Sequence, residues 1–335
     1  MRVIITGVTG FVGSHLADYI IEHYPDVEIH GLKRWRSPME NIEHIADKLV
    51  LHDCDLRDLS SLIHVVNQMN PDVIFHLAAQ SYVPTSYIAP VDTLTTNVIG
   101  TANLLEAVRI SKIEPVVHVC SSSEVYGQVE PDEVPIRESN PLRPASPYAV
   151  SKVAEDMLGW QYFTAWGMKT LRTRMFTHTG PRRGDVFVAS NFAMQIASIE
   201  AGLQEPTIWV GNLDSVRTFA DVRDTVRAYW VMTEKHFEGK VPAGEVYNIG
   251  GTTTMKVGEM LDSLIELSSL QKKVSIQVDK QRIRPADVTL QIPCIDKFKA
   301  HTGWEPSISF ETTMKDLLEY WRGKLHKRSR TKAKS

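Results

Sequence analysis

Cysteine is scarce: Cys54, Cys120 and Cys294 are the only three in 335 residues. They form no CxxC pair and no disulfide framework, which fits a reducing compartment. No apolar run reaches the ~20 residues needed to cross a bilayer. A cleaved leader is not expected either, because the apolar run 3–5 begins almost at Met1 and leads straight into a glycine turn. These absences predict a soluble, cytoplasmic protein. Charge of one sign is also missing: the formal net charge is −3, so nothing global draws the chain to nucleic acid or membrane. The 12 histidines are scattered, with no HExxH and no His/Cys cluster at ligand spacing, so no metal site is expected. Internal repeats and low-complexity linkers are absent.

Hydrophobic residues make up 43% of the chain, enough to fill a sizeable core. The length predicts one large domain or two fused ones. The N-terminal half alternates β-rich runs with helical patterns. Strands are expected over 3–6, 28–32, 49–52, 73–77, 116–120 and 170–174. Helices are expected over 15–22, 59–67, 91–111 and 147–165. This alternation predicts a doubly wound parallel α/β sheet, with ligands beyond the carboxyl ends of its strands. From about Pro181 the pattern loosens. Helices are expected over 189–202, 221–234, 257–268 and 309–321, with short extended pieces between them. We therefore divide the chain into a cofactor domain (1–180, with elements returning around 219–250) and a smaller mixed α/β substrate domain (181–321). Residues 322–335 carry seven Lys or Arg and are expected to form a flexible basic tail, either solubilising or facing an anionic partner.

The first strand runs into Gly7-Val8-Thr9-Gly10-Phe11-Val12-Gly13. Gly7 permits a tight turn, Gly10 lets backbone approach a pyrophosphate, and Gly13 permits close helix–sheet packing. The following helix N-terminus offers unpaired N–H groups to phosphates. An NAD site usually places a carboxylate about 20 residues on, at the end of the second strand. Here that strand ends in Lys33-Arg34-Trp35-Arg36. A basic cluster suits a 2′-phosphate, which points to NADP; the plainer alternative is a solvated loop. Asp55-Leu56, after the third strand, is positioned to meet the adenine edge.

Tyr148 and Lys152 lie four residues apart, one helical turn, on one face. Ser121-Ser122-Ser123-Glu124 follows the fifth strand, at the ligand-binding edge. A tyrosine with a pKa of about 10 is a poor base at neutral pH. A neighbouring ammonium and a positive nicotinamide ring would stabilise its phenolate. Tyr148 could then take a proton from a sugar hydroxyl as hydride leaves the same carbon, with a serine hydroxyl on the same oxygen.

Together the glycine turn, the serines and the YxxxK pair resemble the extended short-chain dehydrogenase/reductase superfamily. The segments HGLKRWRS (30–37), HLAAQSYV (76–83), SSSEVYG (121–127), SPYAVSK (146–152), HTGPRRGDVFV (178–188), GNLDSVRTFADVRD (211–224), RPADV (284–288) and TGWEP (302–306) are similar to the group of GDP-mannose 4,6-dehydratases and GDP-6-deoxy-4-keto-hexose reductases. The resemblance implies a cofactor set of Gly7, Thr9, Gly10, Phe11, Val12, Gly13, Lys33, Arg34, Arg36, Asp55, Leu56, Leu77, Ala78, Ala79, Tyr148, Lys152 and His178. The implied catalytic residues are Ser122, Ser123, Glu124, Tyr148 and Lys152. Ser81, Ser86, Thr177, Arg183, Val188, Asn191, Arg217 and Arg284 are expected to meet a nucleotide sugar, with Arg217 and Arg284 suiting its diphosphate. Arg182 and Arg183 could equally serve a base, a phosphate or a neighbouring subunit's cofactor. Two departures stand out: Ser122 replaces the commoner Thr, and Thr177 stands where the group carries Asn.

The reaction implied by that resemblance is a 4,6-dehydration of GDP-D-mannose with internal hydride transfer. Tyr148 deprotonates the C4 hydroxyl, and Glu124 removes the C5 proton as water leaves C6. The Pro181–Gly184 and Phe187-Val188 segments look closer to the dehydratase, Arg217–Phe219 and the stretch 220–230 to the NADPH-dependent reductase, whose group also carries a serine–serine–glutamate segment. A 4-epimerase would share Tyr148 and Lys152 but has no use for an acid/base at Glu124. A non-catalytic NADP sensor or scaffold predicts loss of some of Ser122, Glu124, Tyr148 and Lys152, and all are present. A homodimer or homotetramer is implied as well.

Overall fold

The computed structural model describes residues 1–271, 273–283, 286 and 288–332. Its strands are β1 (Arg2–Thr6), β2 (Glu28–Lys33), β3 (Val50–Asp53), β4 (Val73–His76), β5 (Val116–Ser122), β6 (Thr170–Met175), β7 (His178–Thr179), β8 (Thr207–Val210), β9 (Val216–Asp221), β10 (Val246–Ile249), β11 (Thr253–Lys256), β12 (Ser275–Val278) and β13 (Leu290–Gln291). Its helices are α1 (Phe11–His23), α2 (Leu59–Met69), α3 (Val83–Ile88), α4 (Pro90–Leu94), α5 (Gly100–Ser111), α6 (Pro147–Trp166), α7 (Val188–Glu200), α8 (Val222–Phe237), α9 (Val257–Glu266), α10 (Asp296–Thr302) and α11 (Phe310–Lys332).

Seven strands pair in parallel in the order β10-β6-β5-β4-β1-β2-β3. Side chains alternate across that sheet, as strand periodicity requires. Val3, Ile5, Val73 and Phe75 face one way, into a core with Leu16 and Ile20 of α1 and Tyr229 and Trp230 of α8. Ile4, Ile74 and Val117 face the other way, against Leu62 and Val66 of α2 and Leu104, Leu105 and Val108 of α5. Both faces are therefore covered, which is the doubly wound arrangement predicted from the alternation. The strand order reverses between β1 and β4, opening a crevice at their carboxyl ends. Thr6 closes its floor: its hydroxyl oxygen accepts the N–H groups of Leu77 and Ala78, each at 3.0 Å.

The helix expected over 91–111 runs from Pro90 to Ser111, with a π-turn at Thr95–Ile99 between α4 and α5. The later half of the chain returns α8 and β10 to the main sheet. Its own core joins α7, α9 and α11 to β8 and β9 through Phe192, Ile196, Leu261, Leu264, Met314 and Leu317. In this region β11 and β13 flank β9, and β12 pairs with β8. Helices α3 (6 residues) and α10 (7 residues) escaped the sequence reading because a helix of under two turns shows no periodicity.

The basic segment from Arg322 does not begin as the flexible tail the composition predicts. Helix α11 continues to Lys332. Arg322 pairs bidentately with Glu200 at 2.6 and 2.7 Å, Lys324 reaches Glu40 at 3.0 Å, and Leu325 packs on the second core. Carboxylates from two distant elements hold the first turn down. Among the described residues no helix is long and apolar enough to cross a membrane, and no group of three or more His, Cys, Asp or Glu is placed to hold a metal ion.

Candidate active site

A cleft of about 1140 Å³ lies over the carboxyl ends of the central strands. Its inner part is the turn after β1. Gly7 adopts φ +71°, and a Cβ there would sit 2.9 Å from the Ala78 Cα. At Gly13 a Cβ would fall 2.3 Å from the Gly7 carbonyl oxygen. The turn and the close seating of α1 thus require these two glycines. Thr9, Gly10, Phe11, Val12, Lys33, Arg34, Asp55, Leu56, Leu77, Ala78 and Ala79 line the same part of the cleft.

The basic cluster is rearranged relative to the expectation. Lys33 is ion-paired with Asp53 across β2 and β3, so its charge is already matched. Arg36, at φ +67°, stacks 4.3 Å from the Trp35 ring centroid and lines an adjoining pocket rather than the main cleft. Arg34 lines both cavities. Asp55 accepts from the Arg57 guanidinium at 2.7 and 3.0 Å, and these bonds hold its carboxyl below the ordinary carboxylate range. Arg57 also lines the cleft. Sequence reasoning missed it, although a cation two residues beyond Asp55 was the available signal.

Helix α6 starts at Ser146, whose hydroxyl accepts the Ala149 N–H at 3.0 Å, with Pro147 at the first helical position. One turn in, it presents Tyr148 (8% exposed) and Lys152 (5%) to the cleft. The Lys152 ammonium lies 6.0 Å from the Tyr148 ring centroid and donates to the Cys120 carbonyl at 2.9 Å. Burial raises the Tyr148 phenol above its ordinary pKa, while the Lys152 charge and a hydrogen bond with Ser122 pull it down. Burial works against the Lys152 ammonium as well, yet Glu155, Tyr148 and Cys120 together hold it protonated.

Ser122, Ser123 and Glu124 all line the cleft where β5 ends. The Ser122 hydroxyl oxygen accepts the Glu124 N–H at 3.2 Å, capping the short turn that carries the carboxylate. Asn97, in the π-turn, ties this region together. Its amide donates to Ser151 at 2.8 Å and to the Gln80 carbonyl at 3.1 Å, and its oxygen accepts the Gln80 N–H. No motif pointed to Asn97, because a π-turn has no signature along the chain.

Ser81, Thr177, His178, Arg183, Val188, Asn191 and Arg217 also line the cleft. Ser86 does not. It is fully buried and turns its hydroxyl back to the Val83 carbonyl of its own helix at 2.6 Å. Arg284 lies outside the described residues. His178 stacks on Phe11 at 5.8 Å, and burial drives its pKa down to about 3, so the ring is neutral. Arg183 stands 3.5 Å from the Phe187 ring centroid and 4.9 Å from that of Phe11, with its Nε buried and unbonded. Burial lowers its pKa to about 10. A cation held between two rings is suited to an anion. Arg182 is engaged elsewhere, with Asp18 at 2.6 Å. Arg282 was missed by sequence reasoning; it lines the cleft and donates to Asn191.

A glycine turn at a helix N-terminus, a Ser–Tyr–Lys set and a carboxylate in one cleft define the extended short-chain dehydrogenase/reductase class. Within that class the chain belongs to the GDP-mannose 4,6-dehydratase family, matching it over residues 4–317. It is 32% identical to the GDP-mannose 4,6-dehydratase of Yersinia enterocolitica, covering 95% of this chain and 92% of that one. It is 34% identical to the GDP-6-deoxy-D-mannose reductase of Pseudomonas aeruginosa, covering 97% and 98%. The structure of RMD from Pseudomonas aeruginosa complexed with NADPH superposes with a TM-score of 0.81, at 31% identity over 96% of this chain and 99% of that one.

Proposed function

We propose that the protein is an NADP-dependent nucleotide-sugar 4,6-dehydratase that converts GDP-D-mannose to GDP-4-dehydro-6-deoxy-D-mannose. The observation that carries this is Glu124, held at the cleft beside a serine that bonds the Tyr148 phenol. Dehydration needs a second acid/base beyond the one that handles the C4 hydroxyl; epimerisation does not.

The cleft fits a phosphorylated dinucleotide. The turn 7–13 and the N-terminus of α1 would hold its pyrophosphate, with Arg183 and the neutral His178 beside them. Arg34 and Arg36 would meet a 2′-phosphate, with Arg57 held beside them by Asp55. Bound there, the cofactor supplies the acceptor and later the donor of hydride for the hexose carbons. Tyr148 takes the C4 hydroxyl proton, its phenolate stabilised by Lys152, while Ser122 hydrogen-bonds the same oxygen. Once C4 is a carbonyl, the C5 proton is acidic and Glu124 removes it. Glu124 then protonates the departing C6 hydroxyl, which leaves as water, and as hydride reaches C6 a proton drawn from solvent returns to C5. Arg217, near-buried in the same cleft, would bind the sugar's diphosphate.

Exposed apolar side chains on neighbouring helices, Val91 on α4 and Val150, Met157 and Trp160 on α6, support the homo-oligomer reading. The reductase relative, aligned nearly end to end, favours a second reading: NADPH-dependent reduction of a GDP-4-dehydro-6-deoxy-hexose.

The test is an anaerobic incubation with GDP-mannose and catalytic NADP⁺, read by mass spectrometry. The expected product is lighter by one water with no net NADPH. Glu124→Gln should lose roughly 10²–10⁴-fold in turnover while still binding cofactor. An unchanged substrate mass, with the 4-dehydro-6-deoxy sugar gaining two hydrogens from NADPH, would replace this reading with the reductase.

A further inference from the structure

Lys152 has a buried partner that the reaction above does not use. Glu155 lies on α6 three residues beyond Lys152 and is 1% exposed. Its Oε2 sits 2.8 Å from the Lys152 ammonium. Its Oε1 is buried and has no hydrogen-bond partner. The next residue, Asp156, is the one that neutralises this helix's arginine neighbours, accepting from Arg172 at 2.6 Å and Arg174 at 2.7 Å. Glu155 is therefore not needed to balance them. A carboxylate buried with half its acceptor capacity unused is costly, and packing alone would be better served by an apolar side chain.

We propose that Glu155 is a positioning residue of the reaction, clamping the Lys152 ammonium against the Cys120 carbonyl and setting how much of its charge reaches Tyr148. The inference rests on the reading of Tyr148 as the proton acceptor. An ammonium has three donors. Cys120 takes one and Glu155 another, which aims the third along the only direction left. The same carboxylate offsets the ammonium's field. Lys152 lowers the Tyr148 pKa and Glu155 raises it. At an effective dielectric of about 20, a unit charge roughly 10 Å away shifts a pKa by about one unit.

Among the described residues around this pair, Glu155 is the titratable side chain bonded directly to Lys152, while the Arg183 guanidinium acts on Tyr148 from across the cleft. On α6 Glu155 faces Lys152 and Asp156, with Tyr148 a turn further on. From β5, Cys120 and the neutral His118 face Lys152, and from β4 so does the neutral His76. From α8, Tyr229 bonds Cys120. Arg172 and Arg174 on β6 are consumed by Asp156. Burial pushes the Glu155 carboxyl up to about 7, so the clamp itself gains or loses charge near neutral pH.

The test uses the NADP⁺-loaded enzyme with tyrosines labelled at Cζ, titrated by NMR, with Tyr148→Phe assigning the resonance. Glu155→Gln keeps the shape and removes the charge. Its Tyr148 midpoint should fall by about one pH unit. In turnover, the acid limb of the rate profile should move the same way while KM for the sugar nucleotide stays put. Glu155→Leu, matched for packing, should give the same Tyr148 shift and serves if the buried amide prevents folding. An unmoved Tyr148 midpoint in a folded variant overturns the proposal. If the midpoint moves but wild-type enzyme does not turn over GDP-mannose, the assigned reaction fails and the role of Glu155 stands.

Discussion

Replacing Gly13 with alanine adds one methyl group at the point where α1 rests on the cofactor turn. That Cβ would lie 2.3 Å from the Gly7 oxygen and 2.9 Å from the Gly7 carbonyl carbon and the Val8 Cα. All three are backbone atoms, so no flexible side chain can give way. Ordinary contact begins at about 3.4 Å, so the start of α1 must retreat from β1 by about 1 Å. Overpacking of this kind costs about 1–3 kcal/mol of stability. The functional cost is larger, because the displaced N–H groups are the ones aimed at phosphate, and a ~1 Å misplacement can cost about 10²-fold. Gly13→Ala should therefore bind NADPH about 10²-fold more weakly, measured by titrating cofactor fluorescence, while circular dichroism stays native. Binding within threefold of wild type, with an unchanged melting temperature, would refute the assignment of this turn as the phosphate cradle.

Two further outcomes follow from buried charge. Asp156→Asn leaves the guanidiniums of Arg172 and Arg174, 5% and 4% exposed, without their shared carboxylate; it should cost about 3–5 kcal/mol in urea unfolding, and a cost below 1 kcal/mol would contradict the network. The second concerns His15, held by burial at about 4, and His76, His118 and His178, held at about 3. Unfolded, each takes a proton near pH 6.5, so the unfolded state binds more protons below that value. Their contribution is complete above pH 6.5 and is lost as pH falls toward the folded values. Glu155, raised to about 7, works in the opposite direction and offsets roughly one of the four. The net loss between pH 7.5 and 5.5 should be about 4 kcal/mol; equal urea midpoints at the two pH values would refute it.

Much of this protein is readable along the chain. Alternating apolar strands and amphipathic helices determine a parallel sheet covered on both faces. The Gly7–Gly13 spacing determines a phosphate-binding turn, and the four-residue spacing of Tyr148 and Lys152 determines that both reach the same side of α6. These are properties of spacing, and backbone periodicity converts spacing directly into direction. Tertiary structure alone decided which charges are free. Lys33 looks available until β3 brings Asp53 to it. Ser86 reads as a sugar contact, yet α3 turns it inward. Residues from Arg322 onward read as a loose tail, yet Glu200 and Glu40, more than a hundred residues away, hold the first turn in place. An ion pair depends on where two separate elements come to rest, and no local periodicity carries that information.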